Sequence, residues 1–203
     1  MKSVYISNPG FQYINMMARA GYTLADSVKD ASLVMFTGGA DVVPSLYGDP
    51  PHPTTGSNLL RDVSDISVFR EALALGKPMV GICRGGQFLN VMGGGSMIQD
   101  IAGHALGDTH PVIETRSGKQ YPRSSTHHQM MNPHPQAAIV VAHSEGLAHE
   151  HSSELAPEWE GMDIEGVFYP HTKSLCFQPH PEFHGVPECR ELFFHLLTTC
   201  LGA

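Results

Sequence analysis

The segment Gly76-Lys-Pro-Met-Val-Gly-Ile-Cys-Arg-Gly-Gly-Gln-Phe88 runs from an apolar stretch into a cysteine with glycine two positions before it and two after it. The apolar stretch reads as a short buried strand and Arg84 to Met92 as a helix, so the sequence predicts a strand–turn–helix unit with Cys83 at its apex. Gly81 and Gly85 permit a sharp turn that can hold one residue in a sparsely allowed backbone conformation. At a helix N-terminus the dipole and free N–H groups favour thiolate over thiol. Cys83 therefore reads as an exposed nucleophile rather than a core cysteine. A fold carrying this unit must present the end of a strand to a helix N-terminus, which excludes most all-α and all-β architectures.

The remaining pattern agrees. Strands are expected near 3–6, 32–36 and 78–82, with helices near 11–20, 61–75 and 84–92. Strands alternating with helices predict an α/β fold: a mostly parallel central sheet with helices on both faces. In the helix at 61–75, Val63, Ile66, Phe69 and Leu73 mark the expected core face. After Asp100 the pattern becomes β-rich. A hairpin is expected around Ser117-Gly118, a strand at 138–142, and two strands at 163–169 and 174–178 flanking Pro170-His-Thr-Lys173, before a terminal helix containing Leu192 to Leu197. The Pro- and Gly-rich stretch Pro44 to Ser57 reads as a loop at the pocket mouth or a surface excursion.

A thiol nucleophile needs a base, and the base needs a group to orient it. Gln178-Pro-His180-Pro-Glu182 supplies both, because alternate side chains of an extended segment point the same way. An acyl-transfer site also needs N–H donors for the oxyanion. Gly39, in a glycine turn after the strand at 32–36, and the main chain of Arg84 are the candidates.

Taken together these segments resemble the class I glutamine amidotransferase-like hydrolases, a flavodoxin-like superfamily, and within it the γ-glutamyl hydrolase branch of peptidase C26 type. Thr37-Gly-Gly-Ala-Asp-Val-Val-Pro-Ser-Leu-Tyr-Gly48 resembles the branch's G-G-x-D-V-x-P-x-x-Y-G segment, and Arg61-Asp-Val-Ser-Asp65 its R-D-x-x-E/D helix start. Gly94 to Ile101 resembles G-G-x-x-x-Q-D-I, and Ser125-Thr-His-His-Gln129 the S-x-H-H-Q loop. The resemblance implies that Cys83 attacks a γ-glutamyl amide, His180 shuttles the proton, Glu182 holds His180, and Gly39 and Arg84 form the oxyanion hole. It further implies that Gln87, Ser125, Thr126, His127 and His128 contact the glutamyl end. Three positions depart from the family pattern: Gly86 for histidine, Pro179 for an aromatic residue and Ser124 for asparagine. A missing side chain at Gly86 is expected to reshape the pocket floor and with it the choice of leaving amine.

Composition narrows the partners. The 203 residues suit one domain, 1–203, and a formal charge of −8 with 12 Lys and Arg argues against nucleic acid. No apolar run approaches membrane-spanning length and no leader pattern opens the chain, so a soluble cytoplasmic enzyme without membrane contact is expected. Four cysteines without paired spacing fit a reducing compartment, with Cys176, Cys189 and Cys200 in packing roles. The reaction needs no metal and no organic cofactor. The chain is compatible with a homodimer. Three other readings compete: a glutaminase subunit feeding ammonia to a separate synthetase, a catalytically silent domain, and a metal-dependent hydrolase or metal-binding protein that draws, from the 13 histidines, on some of His127, His128, His134, His143, His149, His151, His171 and His184. Against the last, no H-E-x-x-H spacing occurs, and adjacent His127 and His128 point apart on a strand.

Overall fold

The computed structural model describes residues 2–101, 104, 111–122, 126–145 and 155–203. Its first half runs β1 (Ser3–Ser7), α1 (Phe11–Arg19), β2 (Thr23–Leu24), β3 (Leu33–Phe36), α2 (Leu59–Ala74), β4 (Met79–Ile82) and α3 (Arg84–Met92). The second half adds β5 (Ser96–Ile98), β6 (Pro111–Glu114), β7 (Gln120–Pro122), β8 (Met130–Asn132), β9 (Ile139–Glu145), β10 (Met162–Tyr169), β11 (Ser174–Phe177) and α4 (Pro187–Leu201). Nine strands form one sheet in the order β2-β1-β3-β4-β11-β10-β9-β6-β7, and β5 pairs with β8 in a separate two-stranded sheet. From β2 to β11 the neighbours are parallel; from β11 to β7 they are antiparallel. This is the α/β architecture that the sequence predicts, with its β-rich second half grafted onto the parallel part.

Side-chain alternation along the central strands builds two cores. Leu33 and Met35 of β3 pack with Met16 and Met17 of α1 and with Leu192, Phe193 and Leu196 of α4. Val34 and Phe36 point to the opposite face and meet Phe69 of α2 and Phe88 and Leu89 of α3. The central strands are therefore apolar on both faces, as parallel strands covered by helices must be. Helix ends follow their local chemistry. The Asn58 side chain accepts the Arg61 N–H and opens α2 two residues before its expected start, Pro187 opens α4, and Gly202 closes it at φ 67°.

The expected core face of α2 holds at Phe69, which is buried, and at Ile66, which packs against the core, but fails at its two ends. Val63 and Leu73 are 58% and 43% exposed, and the buried stripe of α2 is instead Asp62, Asp65, Phe69 and Ala72. Helical periodicity holds, but the buried stripe is turned toward Asp62, Asp65 and Ala72 because its two carboxylates face the buried Arg84 guanidinium. Strands β2, β5 and β8 are two or three residues long, too short to carry a readable alternation, and they escape the sequence pattern.

Candidate active site

Cys83 stands between β4 and α3 at φ 52° and ψ −117°. It is one of three non-glycine residues with positive φ among the described residues. Such a conformation costs on the order of 1–3 kcal/mol and persists only where its surroundings impose it. Here the Cys83 N–H donates to the Phe177 carbonyl of β11 at 2.8 Å, and the Gln87 N–H donates to the Cys83 carbonyl at 3.0 Å. The flanking glycines act differently from the expectation. Neither Gly81 nor Gly85 has positive φ. A Cβ at Gly81 would lie 2.1 Å from the Gly85 carbonyl oxygen, and one at Gly85 would lie 2.2 Å from the Phe36 oxygen. The glycines let strand and helix backbones touch, while the strain falls on the cysteine.

Strand β11 sits beside β4 with Cys176 opposite Gly81 and Phe177 opposite Ile82, so the residues that follow it arrive next to Cys83. There His180 Nδ1 lies 2.7 Å from Glu182 Oε1, and both side chains are nearly buried. Burial disfavours the imidazolium, but the Cys83 sulfur and the Glu182 carboxylate outweigh it, and the His180 pKa is pushed up to about 10. A charged histidine paired with the sulfur is the resting arrangement this implies.

Two aromatic residues without an expected role complete the surroundings. Phe183 stacks on the His180 ring at 4.6 Å between centroids and 6° between planes. Tyr13 of α1 accepts the Gly38 N–H at 3.1 Å, and burial together with the nearby Glu182 charge pushes its hydroxyl pKa well up. A side chain at position 38 would force the Tyr13 hydroxyl to shift. A Cβ there would be 2.9 Å from the Tyr13 oxygen, 3.5 Å from His180 Cε1 and 3.7 Å from Cys83 Cβ. Gly39 follows at φ 150°, where an added Cβ would meet the Arg61 guanidinium at 3.0 Å.

Arg84 divides its work between main chain and side chain. Its N–H belongs to the first turn of α3, where helical N–H groups have no carbonyl within the helix. Its guanidinium is buried and pairs with Asp62 and Asp65. Asp65 also holds the Ser7 hydroxyl and Arg61 Nε, the latter at 3.0 Å, and Arg61 in turn donates to the Thr37 carbonyl at 3.0 Å. One ionic network thus joins β1, the glycine turn after β3, α2 and α3.

A cavity of about 340 Å³ opens at this point, and its lining includes Gly39, Asp41, Cys83, Gln87, Thr126, His127 and His128. Gln87 Nε2 donates to Gln178 Oε1 at 3.1 Å. His128 is half-exposed beside Asp41, at 3.3 Å, whereas His127 is buried. Ser125 lies outside the described residues, as does Ser124. The loop at 44–57 reaches the cavity through Thr54 and Gly56. It is held there by Gln99, whose Oε1 accepts from the His52 N–H and the Thr55 hydroxyl, both at 2.9 Å. Gln99 belongs to the G-G-x-x-x-Q-D-I segment, yet only the fold reveals this role.

The sequence profile of the family described as Peptidase C26 matches residues 14–150. The chain belongs to this family. A glutamine amidotransferase-like protein of Lactococcus lactis, YvdE, is 31% identical over 150 residues, which is 62% of this chain and 64% of that protein. A protein of Mycobacterium tuberculosis named as a glutamine amidotransferase is 45% identical over 76 residues, 36% of this chain and 25% of its own. The matches to the first relatives, from Lactococcus lactis and Enterococcus hirae, span 64%, 38% and 37% of those proteins' lengths, less than two thirds in each case. Among solved structures, a chain of PurLQS from Thermotoga maritima superposes with a TM-score of 0.68 at 19% identity, covering 98% of both chains. A Thermoplasma acidophilum protein described as a GMP synthase subunit gives 0.67 at 14% identity, covering 100% of this chain and 95% of that one. At these identities the neighbours establish the class I glutamine amidotransferase fold.

Within this C26 chain one expected consequence is overturned. Gly86 faces β11, not the cavity: a Cβ there would lie 2.9 Å from the Phe177 nitrogen and 3.0 Å from its oxygen. A side chain at this position would press on the main chain of β11. Among the described residues no helix is long and apolar enough to cross a membrane.

Proposed function

We propose that this C26 protein is a cysteine-dependent hydrolase that cleaves γ-glutamyl amides to glutamate and an amine, residues 1–203 acting as one catalytic domain. The observation that carries the reading is Cys83, held at positive φ on a helix N-terminus beside a histidine that is itself locked to Glu182. The Cys83 sulfur attacks the γ-carbonyl carbon, and the carbonyl oxygen takes the negative charge against the N–H groups of Gly39 and Arg84. His180 gives its proton to the departing nitrogen, the C–N bond breaks and a thioester remains. His180 then removes a proton from water, whose oxygen attacks the thioester, and glutamate leaves as the sulfur regains its charge. Glu182 keeps the imidazole oriented throughout. Gln87, Thr126, His127 and His128 line the space for the glutamyl end.

A glutaminase that serves a separate synthetase is the second reading, favoured by the GMP synthase description of one structural neighbour and by the PurLQS chain. Both readings use the same residues, so substrate choice separates them. Glutamate release is to be measured on glutamine, γ-glutamyl-γ-aminobutyrate and nucleotide-linked γ-glutamyl amides, with the Cys83→Ala protein as reference. Cys83-dependent release from substituted amides supports the free-standing hydrolase. Release from glutamine alone, raised by a synthetase, supports the synthetase-linked glutaminase. No Cys83-dependent release from any amide refutes both.

A further inference from the structure

The wall of the nucleophile cavity carries a buried acceptor whose orientation is decided by the hydrogen bonds behind it. They start at Gln99. Its Oε1 takes the His52 N–H at 2.9 Å and its Nε2 donates to the Pro50 carbonyl at 2.9 Å, so the reversed amide would set donor against donor and acceptor against acceptor. Gln99 Oε1 therefore receives the Thr55 hydroxyl proton, at 2.9 Å. With that proton committed the Thr55 oxygen can only accept, and Gln129 presents its Nε2 to it at 3.2 Å. Gln129 Oε1 is what remains. The residue is 1% exposed and lines the cavity beside Cys83, and its Oε1 has no hydrogen-bond partner among the described residues.

A buried amide oxygen without a donor is destabilising, so a fold that fixes one in a cavity wall is shaped for a donor that enters the cavity. The neighbours say which kind. The Asp41 carboxylate lines the same cavity, so a negative charge joins the open acceptor. Gln87, one helical turn past Cys83, places its Nε2 3.5 Å from the Gln129 main-chain carbonyl, which puts Gln129 within reach of the first turn of α3. A positively charged N–H donor is the group such a wall selects, because a charge-assisted hydrogen bond is stronger than a neutral one. A γ-glutamyl group has one such donor, its α-ammonium.

We propose that Gln129 Oε1 accepts a hydrogen bond from the α-ammonium of the γ-glutamyl group, and that Thr55 and Gln99 hold the Gln129 amide in the orientation this requires. Gln129 is then a specificity residue that separates γ-glutamyl from glutaryl amides. Thr55 and Gln99 are positioning residues that act through it, which gives the loop at 44–57 a part in substrate choice. The inference rests on the γ-glutamyl hydrolase reading and adds to it the chemical group by which the substrate is chosen.

The test compares L-glutamate with glutarate, which differ by the α-ammonium alone, as ligands of the full-length Cys83→Ala protein in titration calorimetry at neutral pH. Neither ligand carries a leaving amine, so contacts to that end do not enter. Glutamate should bind at least about tenfold more tightly than glutarate. Adding Gln129→Met, similar in volume but without the acceptor, should weaken glutamate about tenfold and leave glutarate within about threefold. A collapsed cavity would instead weaken both ligands alike. Thr55→Val lets the amide turn its Nε2 toward the ligand and should reduce the preference in the same direction; it decides the matter if Gln129→Met fails to fold. An undiminished preference in the folded variants, or no preference in the Cys83→Ala protein, overturns the assignment and leaves the hydrolase reading standing. Failure of glutamate to bind the Cys83→Ala protein also overturns it, and Cys83-dependent glutamate release from the amides then tells whether the hydrolase reading falls as well.

Discussion

Replacing Arg84 by methionine separates the two jobs of this residue. The guanidinium is buried between Asp62 and Asp65. Methionine refills much of the volume but leaves both carboxylates without it. Asp65 retains Arg61 Nε at 3.0 Å and Asn8 Nδ2 at 3.3 Å, whereas Asp62 retains the Val43 N–H at 3.1 Å. The uncompensated charge therefore falls mainly on Asp62. Removing one partner of a buried ion pair costs about 3–5 kcal/mol, a large fraction of the ~5–15 kcal/mol that holds a domain together. With a urea dependence of about 2 kcal/mol/M, the unfolding midpoint should fall by roughly 1.5–2.5 M. Adding Asp62→Asn should restore part of that loss, with a coupling of about 0.5–3 kcal/mol in a double-mutant cycle. The folded fraction is a separate readout. Losing an oxyanion donor costs about 10²–10³ in kcat, and the donor assigned here is the main-chain N–H, which the variant keeps. The fall in kcat under native conditions should be far smaller than that. A midpoint within about 0.5 M of wild type, or a kcat loss of about 10²-fold in fully folded protein, would refute the reasoning.

Other perturbations have equally definite outcomes. Gly85→Ala drives a Cβ to 2.2 Å from the Phe36 oxygen, against main chain that cannot swing away. It should cost at least about 1–3 kcal/mol and slow alkylation of Cys83 by iodoacetamide, both measurable against Gly185→Ala, where the space is open and φ is not positive. The His180 pKa is raised to about 10, so the charged ring stabilises the fold fully below about 6.5 and this contribution disappears as pH rises through about 10. Urea midpoints between neutral and alkaline pH should fall accordingly in wild type, and a flat profile would contradict the pairing. Glu182→Gln removes one of the two partners that raise this pKa, so the alkaline limb of the activity or alkylation profile should move to lower pH. Phe88→Ala empties a fully buried site between Phe36 and Phe69 and should cost about 3–5 kcal/mol in urea unfolding.

Much of this protein is written locally. The glycine–cysteine elbow and the alternation of apolar strands with helices are short-range patterns, and each predicts an element that the fold contains; His180 and Glu182 do meet, but in a turn closed by the Phe183 N–H on the His180 carbonyl and not by alternation along a strand. Backbone conformation and strand alternation depend on near neighbours, so a single sequence displays them. Tertiary structure decided what depends on distant partners. The buried face of α2 carries Asp62 and Asp65 because Arg84, some 20 positions on, needs two carboxylates. Gly86 is glycine because β11, about 90 residues later, crosses at Phe177. Gln99, Thr55 and Gln129 meet only once the loop at 44–57 has folded over the cavity. Packing and charge pairing act through space, so chain periodicity does not record which distant side chain fills a given place.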